Sequence, residues 1–337
     1  MKKEHLYYVA EKGFDNLFNA GVVRKDNEAI LDSIGFKALH FGTAGKKSLG
    51  AGISRFFKLL QFFFQINKDS LVVFHFPVNA SIYKWLLTIL NWRGIATVAI
   101  IIDIDGLRDK DNDLLNKEIK LLSRFTCIVA HNAAMKAWLL QYLPAANIYI
   151  IGLFDYPING TTPHSEYSTT ICFAGNITKA TFVYTLKQTP GLHFNVYGDG
   201  YDATMNAINN FSYKGVFKPA QLPAELEGSF GLVWDGNATD TCEEYLKYNT
   251  PHKLSLYLAA GLPVIVWEQS AVAAMVKEKN IGITINQLSE IEEKIKAVTT
   301  DEYKRIQQNV LLIGKQIRNG FYLNQVFEKM MNDMDQR

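Results

Sequence analysis

Short apolar runs alternate with longer amphipathic stretches over the first half of the chain. The short runs are four to eight residues long and rich in β-branched and aromatic side chains, which predicts the strands HLYYVA, FKALHF, SLVVFHF, ATVAIIID, CIVAH and IYIIG. The longer stretches ISRFFKLLQFFFQI, ASIYKWLLTILNW and AAMKAWLLQYL predict helices that can cross a sheet and return the chain in parallel. This half is therefore predicted to form one α/β doubly wound domain.

The alternation resumes after a break at residues 155–168, where Pro, Gly, Ser and Thr replace the apolar pattern and predict an interdomain linker. The runs TTICFAG, HFNVYG, FSYKGVF, FGLVWDG and PVIVWE predict strands with helical stretches between them. From Asp301 the pattern predicts continuous helix, with bends at Gly314 and Gly320 and no further strand.

We therefore expect an α/β protein with two Rossmann-like doubly wound domains that face a cleft. The first domain is predicted to span residues 1–155 and the second residues 156–314, with the C-terminal helix 315–337 crossing back onto the first. Open α/β sheets bind ligands outside the carboxyl ends of their strands, so the cleft is the expected site.

Composition excludes several classes of protein. The chain has 35 Lys plus Arg against 33 Asp plus Glu, and a formal charge of +2 is too small to favour a nucleic-acid partner. Three widely spaced cysteines predict neither a disulfide framework nor a metal site, which favours a reducing compartment. The pattern shows no signal peptide and no membrane-spanning run, so we expect a cytoplasmic protein.

The segment NTPHKLSLYLAAGLPVIVWE, residues 249–268, is the most informative. Asn249 and Pro251 suit the start of a helix at a strand's carboxyl end, where free N–H groups favour anions. His252 and Lys253 add side-chain donors that suit a diphosphate. The alternative, a capped core helix with solvated His and Lys, stays open at this point.

A second polar turn is FAGNITKA, where Gly175, Asn176 and Lys179 follow a predicted strand. Glycine lets a ligand approach the backbone and Lys179 can meet a phosphate, although an ordinary strand-to-helix turn has the same composition. Similar turns end the next predicted strands of this sheet, and among them Tyr213 could face a nucleobase or simply pack.

Asp103 and Asp105 follow the fourth predicted strand of the first half. Their D-x-D spacing is that of a metal-binding pair in one class of transferases, but the phosphate-suited turns lie in the other half. Either carboxylate could act as a general base across the cleft, or cap the following turn. No G-x-G-x-x-G follows the first strand and no histidine has metal-ligand spacing, so neither a nicotinamide cofactor nor a metal site is indicated.

Residues 46–64 combine Lys46, Lys47, Arg55 and Lys58 with five phenylalanines in a predicted amphipathic helix. Such a helix can lie on an anionic membrane surface. We favour the alternative, a core helix whose phenylalanines pack on the sheet, because a doubly wound domain must cover its sheet.

Taken together, these segments resemble the GT-B type of nucleotide-sugar glycosyltransferase, and within it the family of galactofuranosyltransferases and serine-rich-repeat glucosyltransferases. The segments that carry the resemblance are IIDIDGLR, VAHNAAMKAWL, FAGNITKA, YKGVFKPAQLPAEL, GLVWDG and NTPHKLSLYLAAGLPVIVW, of which the last is the most specific. The resemblance implies that the first domain receives an acceptor and that the second binds a UDP-sugar.

The resemblance also assigns residues. Lys179 and Lys253 would meet the diphosphate, Tyr213 would lie near the uridine, and Asn249 and His252 would line the donor pocket. No metal would be needed, because a helix dipole and a lysine stabilise the leaving diphosphate. One position departs from the family, which has a His-Asp pair where this chain has Ile102 before Asp103; if that histidine were catalytic, transfer here would be impaired.

We therefore expect a metal-independent, inverting transferase without a cofactor, active in polysaccharide biosynthesis. It would move galactofuranose or glucose from UDP to a hydroxyl of a glycan, a glycolipid or other lipid-linked acceptor, or a glycoprotein, with Asp103 or Asp105 as the candidate base. The alternatives are a non-catalytic subunit that binds a nucleotide sugar or a glycan, and an epimerase, which would need an acid/base set that the pattern does not supply. Peripheral contact with the inner face of the membrane through residues 46–64 and homo-oligomerisation are left open.

Overall fold

The chain forms two compact units, residues 1–151 with 323–337 (unit 1) and residues 152–322 (unit 2). The structure is a computed structural model. It describes residues 5–12, 20–43, 49–158, 167–202, 209–236 and 244–336 of the 337-residue chain.

Within its described residues, unit 1 contains a six-stranded parallel sheet in the order β2-β1-β3-β4-β5-β6. The strands are β1 (Leu6–Lys12), β2 (Lys37–Thr43), β3 (Leu71–Phe76), β4 (Ala96–Ile101), β5 (Cys127–Ala130) and β6 (Asn147–Ile150). The helices are α1 (Ala20–Ser33), α2 (Leu49–Gln65), α3 (Ser81–Trp92), α4 (Asp105–Arg108), α5 (Asn112–Leu122) and α6 (Ala133–Tyr142). Strand β3 is buried along its whole length, as expected for a central strand covered on both faces.

The described residues of unit 2 form a second six-stranded parallel sheet, ordered β12-β11-β10-β7-β8-β9. Its strands are β7 (Thr170–Ala174), β8 (His193–Tyr197), β9 (Phe211–Gly215), β10 (Phe230–Val233), β11 (Val264–Trp267) and β12 (Gly282–Ile285). The helices are α7 (Leu222–Glu225), α8 (His252–Ala259), α9 (Ala273–Glu278), α10 (Ile291–Ala297), α11 (Thr300–Arg318) and α12 (Phe321–Asp335), which continues into unit 1. Short 3₁₀ helices lie at Thr181–Gln188, Glu244–Lys247 and Leu288–Glu290.

The edge strand β12 was not among the predicted strands. It has only four residues and begins at Gly282, which weakens a strand pattern. The close approach of β11 accounts for the glycine, because a Cβ at Gly282 would overlap the carbonyl oxygen of Val264 on that strand.

The predicted bend at Gly314 is wrong, since α11 runs through this residue without interruption. Gly314 instead lets α11 approach α8, because a Cβ there would overlap the carbonyl oxygen of Leu258. The chain does turn at Gly320, which has a φ of 70° between α11 and α12.

The favoured interpretation of residues 46–64 as a core helix is also wrong for most of its phenylalanines. Phe62 is buried against the sheet, whereas Phe56, Phe57 and Phe64 are exposed. The helix α2 therefore carries apolar side chains on two faces, and only one of them faces the core. Residues 44–48 lie outside the described residues.

The start of the predicted linker contributes to the core of unit 2. Asp155 and Tyr156 are both buried, and the Tyr156 N–H donates to the carbonyl oxygen of Ile317 at 3.1 Å. Residues 159–166 lie outside the described part of the chain.

Candidate active site

The turns after β7, β8 and β9 meet at the carboxyl edge of the unit 2 sheet. The Gly175 N–H donates to the carbonyl oxygen of Tyr197 at 3.0 Å, and the Gly198 N–H donates to that of Gly215 at 2.9 Å. Gly198 has a φ of 132°, and a Cβ there would overlap the carbonyl oxygen of Gly175. Glycine thus allows these turns to form one continuous backbone rim.

Asn176 and Lys179 lie in the first of these turns. The Asn176 Oδ1 accepts a hydrogen bond from the Lys179 N–H at 3.1 Å, which closes the turn. The Lys179 side chain is exposed at the rim. The three residues predicted from FAGNITKA, which include Gly175, therefore lie together.

Two tyrosines, one in the turn after β8 and one within β9, form an aromatic pair. The Tyr213 ring stacks on the Tyr201 ring with centroids 4.3 Å apart and planes 11° apart. The Tyr213 hydroxyl donates to the carbonyl oxygen of Gly198 at 3.0 Å. Burial, followed by the nearby Asp199 and Tyr201, raises the pKa of Tyr213, so its hydroxyl stays protonated as a donor. Such a flat pair suits stacking by a nucleobase.

Lys253 lies in the first turn of α8 and reaches the ends of β10 and β7. Its Nζ donates to Asp235 Oδ1 at 2.6 Å and to the carbonyl oxygen of Trp234 at 3.1 Å. The same ammonium lies 5.2 Å from the centroid of the Phe173 ring. With 17% of its side chain exposed, Lys253 is a half-buried cation at the same sheet edge as Gly175.

The start of α8 is fixed by its backbone. Pro251 precedes the first helical residue in an extended conformation, with φ −65° and ψ 138°, and no side chain caps the helix there. The N-terminus therefore presents main-chain donors and the positive end of the helix dipole. Asn249 lies just before it, with its N–H bonded to the carbonyl oxygen of Tyr245 at 3.0 Å.

The His252 ring belongs to an aromatic group. It stacks on Tyr156 with centroids 4.9 Å and planes 24° apart, and it meets the edge of Phe154 at 6.2 Å. The Tyr156 hydroxyl donates to the carbonyl oxygen of Pro219 at 2.9 Å. These contacts hold the imidazole at the helix start, beside Lys253 in sequence.

Sequence reasoning missed three residues of this region. Asp235 pairs with Lys253, Tyr201 stacks on Tyr213, and the buried Tyr257 hydroxyl accepts the Ala174 N–H at 2.7 Å. That last bond ties α8 to the end of β7, because Ala174 immediately precedes Gly175. The sequence did indicate Asp235 as a candidate, because it follows the predicted strand within the segment GLVWDG. Its pairing with Lys253 could not be predicted from the sequence.

The acidic pair predicted in unit 1 is bound by one arginine. Arg108 Nη1 lies 3.1 Å from Asp103 Oδ2, and Arg108 Nη2 lies 2.9 Å from Asp105 Oδ1. A further bond to Asp109, together with these carboxylates, raises the pKa of Arg108, so the guanidinium stays charged. A base role for either aspartate would need a substrate hydroxyl to share its carboxylate with Arg108.

A buried glutamate positions the loop that carries Asp105. Glu118 accepts the Asp105 N–H at 3.1 Å and the Gly106 N–H at 2.8 Å. Burial raises the pKa of Glu118, although these two bonds oppose the shift.

Neither a metal cluster nor a reactive thiol is found among the described residues. No group of three or more His, Cys, Asp or Glu is arranged to hold a metal ion in the described ranges. Burial raises the pKa of the Cys172 thiol to about 12, which leaves it protonated and a poor nucleophile.

The comparisons with known proteins agree over nearly the whole chain. The N-terminal domain of the glucosyltransferase 3-like family matches residues 11–150, and its C-terminal domain matches residues 171–330. The β-1,6-galactofuranosyltransferase WbbI of Escherichia coli K12 is 30% identical over 294 residues, which cover 83% of this chain and 84% of WbbI. Glucosyltransferase 3 of Streptococcus gordonii is 25% identical over 234 residues, covering 68% and 69%.

The fold has a solved counterpart. The crystal structure of HepE from Anabaena, in complex with UDP and glucose, superposes with a TM-score of 0.61 at 14% identity, covering 97% of this chain and 99% of HepE. The two parallel-sheet α/β units and this similarity confirm the predicted GT-B fold class. The relatives confirm the predicted enzyme class, a glycosyltransferase. The chain belongs to the glucosyltransferase 3-like family of glycosyltransferases.

Proposed function

We propose that this protein transfers galactofuranose or glucose from UDP to a hydroxyl of a glycan, a glycolipid or a glycoprotein. The activities named for WbbI and glucosyltransferase 3 support the two sugars, and the UDP and glucose bound to HepE support the donor. The single observation that carries the proposal is the position of Lys253, a half-buried cation at a helix start on the carboxyl edge of the unit 2 sheet.

The donor would lie along the rim of unit 2. Its diphosphate would meet the N-terminus of α8 and the ammonium of Lys253, with Lys179 as a second cation. Asn249, Pro251 and His252 would line the pocket beside it. Gly175 and Asn176 would let the backbone approach the ligand, and the Tyr201–Tyr213 pair would stack against the uracil ring.

In the proposed reaction, the protein would stabilise the charge of the leaving diphosphate and accept the proton of the acceptor hydroxyl. The acceptor hydroxyl oxygen bonds to the anomeric carbon while the bond from that carbon to the phosphate oxygen breaks, and UDP leaves with the electron pair. Lys253 and the α8 N-terminus would stabilise the negative charge that develops on the diphosphate, so that no metal ion is required. This displacement would invert the anomeric centre.

The hydroxyl proton would pass to a carboxylate of unit 1. Asp103 and Asp105 are the proposed bases, and each would have to exchange a contact with Arg108 for one with the hydroxyl. In this proposal residues 1–155 form the acceptor domain with helix 315–337, and residues 156–314 form the donor domain. Contact of residues 46–64 with the cytoplasmic face of a membrane is also proposed, as is a homo-oligomer.

A second candidate is a non-catalytic subunit that binds a nucleotide sugar or a glycan. One observation favours it. Arg108 engages both candidate bases, and Ile102, which precedes Asp103, supplies no imidazole. A chain with an intact donor rim and no working base would bind UDP-sugars without transferring them.

Release of UDP from UDP-galactofuranose and UDP-glucose, each with and without a glycan acceptor, separates these functions. The proposal predicts release that depends on the acceptor and is lost in Asp103→Asn or Asp105→Asn at unchanged UDP affinity. Binding without release would indicate the subunit. Conversion of the sugar without release would indicate an epimerase.

A further inference from the structure

The outward face of α2 in unit 1 is apolar from position 53 to position 64. Positions 53, 56, 57, 60 and 64 lie three, four, seven and eleven residues after the first of them, which places them on one side of the helix. Large apolar side chains occupy all of them and are exposed: Ile53, Phe56 (63%), Phe57 (62%), Leu60 and Phe64 (78%). Phe62 and Ile66 already supply the face that packs on the sheet. The exposed face therefore has no role in the core of unit 1.

Helix α3 extends this apolar surface. Trp85 and Trp92 are seven residues apart, on one side of α3, and are 64% and 79% exposed. Both helices cover the same face of the sheet, because the right-handed crossovers from β2 to β3 and from β3 to β4 run in the same direction. Arg93 joins their ends, with its guanidinium 4.6 Å from the Phe63 ring centroid and a hydrogen bond of 2.5 Å to the Phe63 carbonyl oxygen. We call the exposed apolar face of α2, together with Trp85 and Trp92, the α2–α3 surface.

The sequence that contains α2 and α3 is rich in cationic residues. Residues 33–102 contain eight Lys or Arg and a single acidic residue, Asp69. The charged residues of α2 and α3 themselves are Arg55, Lys58 and Lys84, and neither helix sequence contains Asp or Glu. The matching partner is therefore both apolar and anionic.

We infer that the α2–α3 surface docks the protein on an anionic lipid bilayer. Phenylalanine and leucine side chains would enter the boundary between headgroups and acyl chains, and the two tryptophans would lie at headgroup level. The lysines and arginines would meet the lipid phosphates. The docking deepens the proposed contact of residues 46–64, and it needs only surface insertion: no helix in the described ranges is long and apolar enough to cross a bilayer.

A second copy of the chain fits this surface less well. In a two-fold interface both copies would bring the same cations, Lys58 and Lys84 among them, and neither α2 nor α3 contains Asp or Glu. Cations withdrawn from water without a counter-charge oppose association. An anionic bilayer supplies that counter-charge.

Co-sedimentation of the full chain with vesicles tests the inference. We expect binding to vesicles of equal parts phosphatidylglycerol and phosphatidylcholine, little binding to phosphatidylcholine alone, and weaker binding as salt is added. The double variant Phe56→Ser, Phe57→Ser should lower the partition coefficient about tenfold or more. The double variant Lys58→Glu, Lys84→Glu should lower the partition coefficient on the anionic vesicles only. Leu312→Ser, which changes an exposed apolar residue of α11 in unit 2, is the matched control and should leave binding unchanged.

Three results would overturn the inference. The first is that the unmodified chain does not bind vesicles. The second is that the phenylalanine variant binds vesicles as well as the unmodified chain does. The third is self-association through this face without vesicle binding, which would assign the surface to a second copy.

Calorimetric UDP binding, measured on the same samples, should be equal in all variants and shows that they are folded. Failure to bind lipid with intact UDP binding contradicts the docking alone, and failure to bind UDP with intact lipid binding contradicts the proposed donor site alone.

Discussion

Lys253 is paired with a carboxylate at the carboxyl edge of the unit 2 sheet. Its Nζ lies 2.6 Å from Asp235 Oδ1, and about two fifths of the Asp235 side chain is exposed. A diphosphate at the start of α8 would compete with this carboxylate, because both anions need the same ammonium. At the proposed donor site, Asp235 would therefore oppose donor binding while it orders the Lys253 side chain.

The variant Asp235→Asn tests this competition. The amide keeps the size of the side chain but removes its negative charge, so we expect UDP to bind about two- to fivefold more tightly, or ~0.4–1 kcal/mol. Titration calorimetry measures the change. Glu292→Gln is the control, since it breaks a similar pair with Lys296 on α10 and should leave UDP affinity unchanged. Weaker binding in Asp235→Asn would instead mean that Asp235 supports the donor.

His75 makes the stability of unit 1 depend on pH. Burial, aided by the nearby Arg24, lowers the pKa of His75 to about 3, whereas an unfolded histidine titrates near 6.5. Between these values the unfolded chain binds the additional proton, so the free energy of unfolding falls as pH is lowered. The contribution of His75 is complete above pH 6.5 and declines below it.

We expect the free energy of unfolding to drop by about 1–2 kcal/mol from this group between pH 6.5 and about pH 5. His75→Leu removes the titration and should flatten the pH dependence by that amount. Urea unfolding across this pH range measures the slope for both proteins. Equal slopes would show that His75 can protonate in the folded state.

The contact between α8 and α11 depends on one small residue. Gly314 faces the carbonyl oxygen of Leu258, a backbone atom that cannot move aside as a flexible side chain can. Because α8 also carries Lys253, this contact helps to hold the cation at the sheet edge.

Gly314→Ala should therefore destabilise the protein by about 1–3 kcal/mol, even though alanine favours helix more than glycine does. Thermal and urea unfolding measure the loss. The control Gln308→Ala places alanine at an exposed position of the same helix and should be near neutral. A stabilised Gly314→Ala variant would contradict the close helix approach.

The sequence predicts elements better than it predicts the contacts between them. Strands such as β3 and β4 were predictable because central parallel strands are continuous apolar runs. The edge strand β12 was not, since it has only four residues, begins with glycine and buries only the last of them, which gives little pattern. The exposed side of α2 was not predictable either, because a helix with phenylalanines on two faces does not reveal which of these faces meets the sheet.

Some features of the candidate site could likewise be predicted from the sequence, and others could not. Gly175 and Lys179 could be predicted to share an edge with the start of α8, because parallel topology places the carboxyl ends of neighbouring strands together. The pair of Lys253 with Asp235 and the stack of Tyr201 on Tyr213 could not, because they depend on side-chain distances between elements well separated in sequence.

We expect the whole protein to transfer the sugar without a metal ion. The α8 N-terminus and Lys253 would supply the positive charge that a divalent cation supplies in other transferases. We expect acceptor-dependent UDP release to be unchanged by a chelator. Activity that is lost to the chelator and restored by magnesium or manganese would contradict this and return Asp103 and Asp105 to contention as metal ligands.

We propose that the UDP-sugar binds at the carboxyl edge of unit 2, on Lys253. Calorimetric titration of UDP into the full chain and into Lys253→Ala tests it most directly, with Lys304→Ala on the exposed side of α11 as the control. Loss of a charge-assisted phosphate contact is worth about 1.5–3 kcal/mol, so we expect the dissociation constant to rise roughly tenfold to hundredfold in Lys253→Ala and not in Lys304→Ala. No binding to the unmodified chain, or equal affinity in Lys253→Ala, would contradict it.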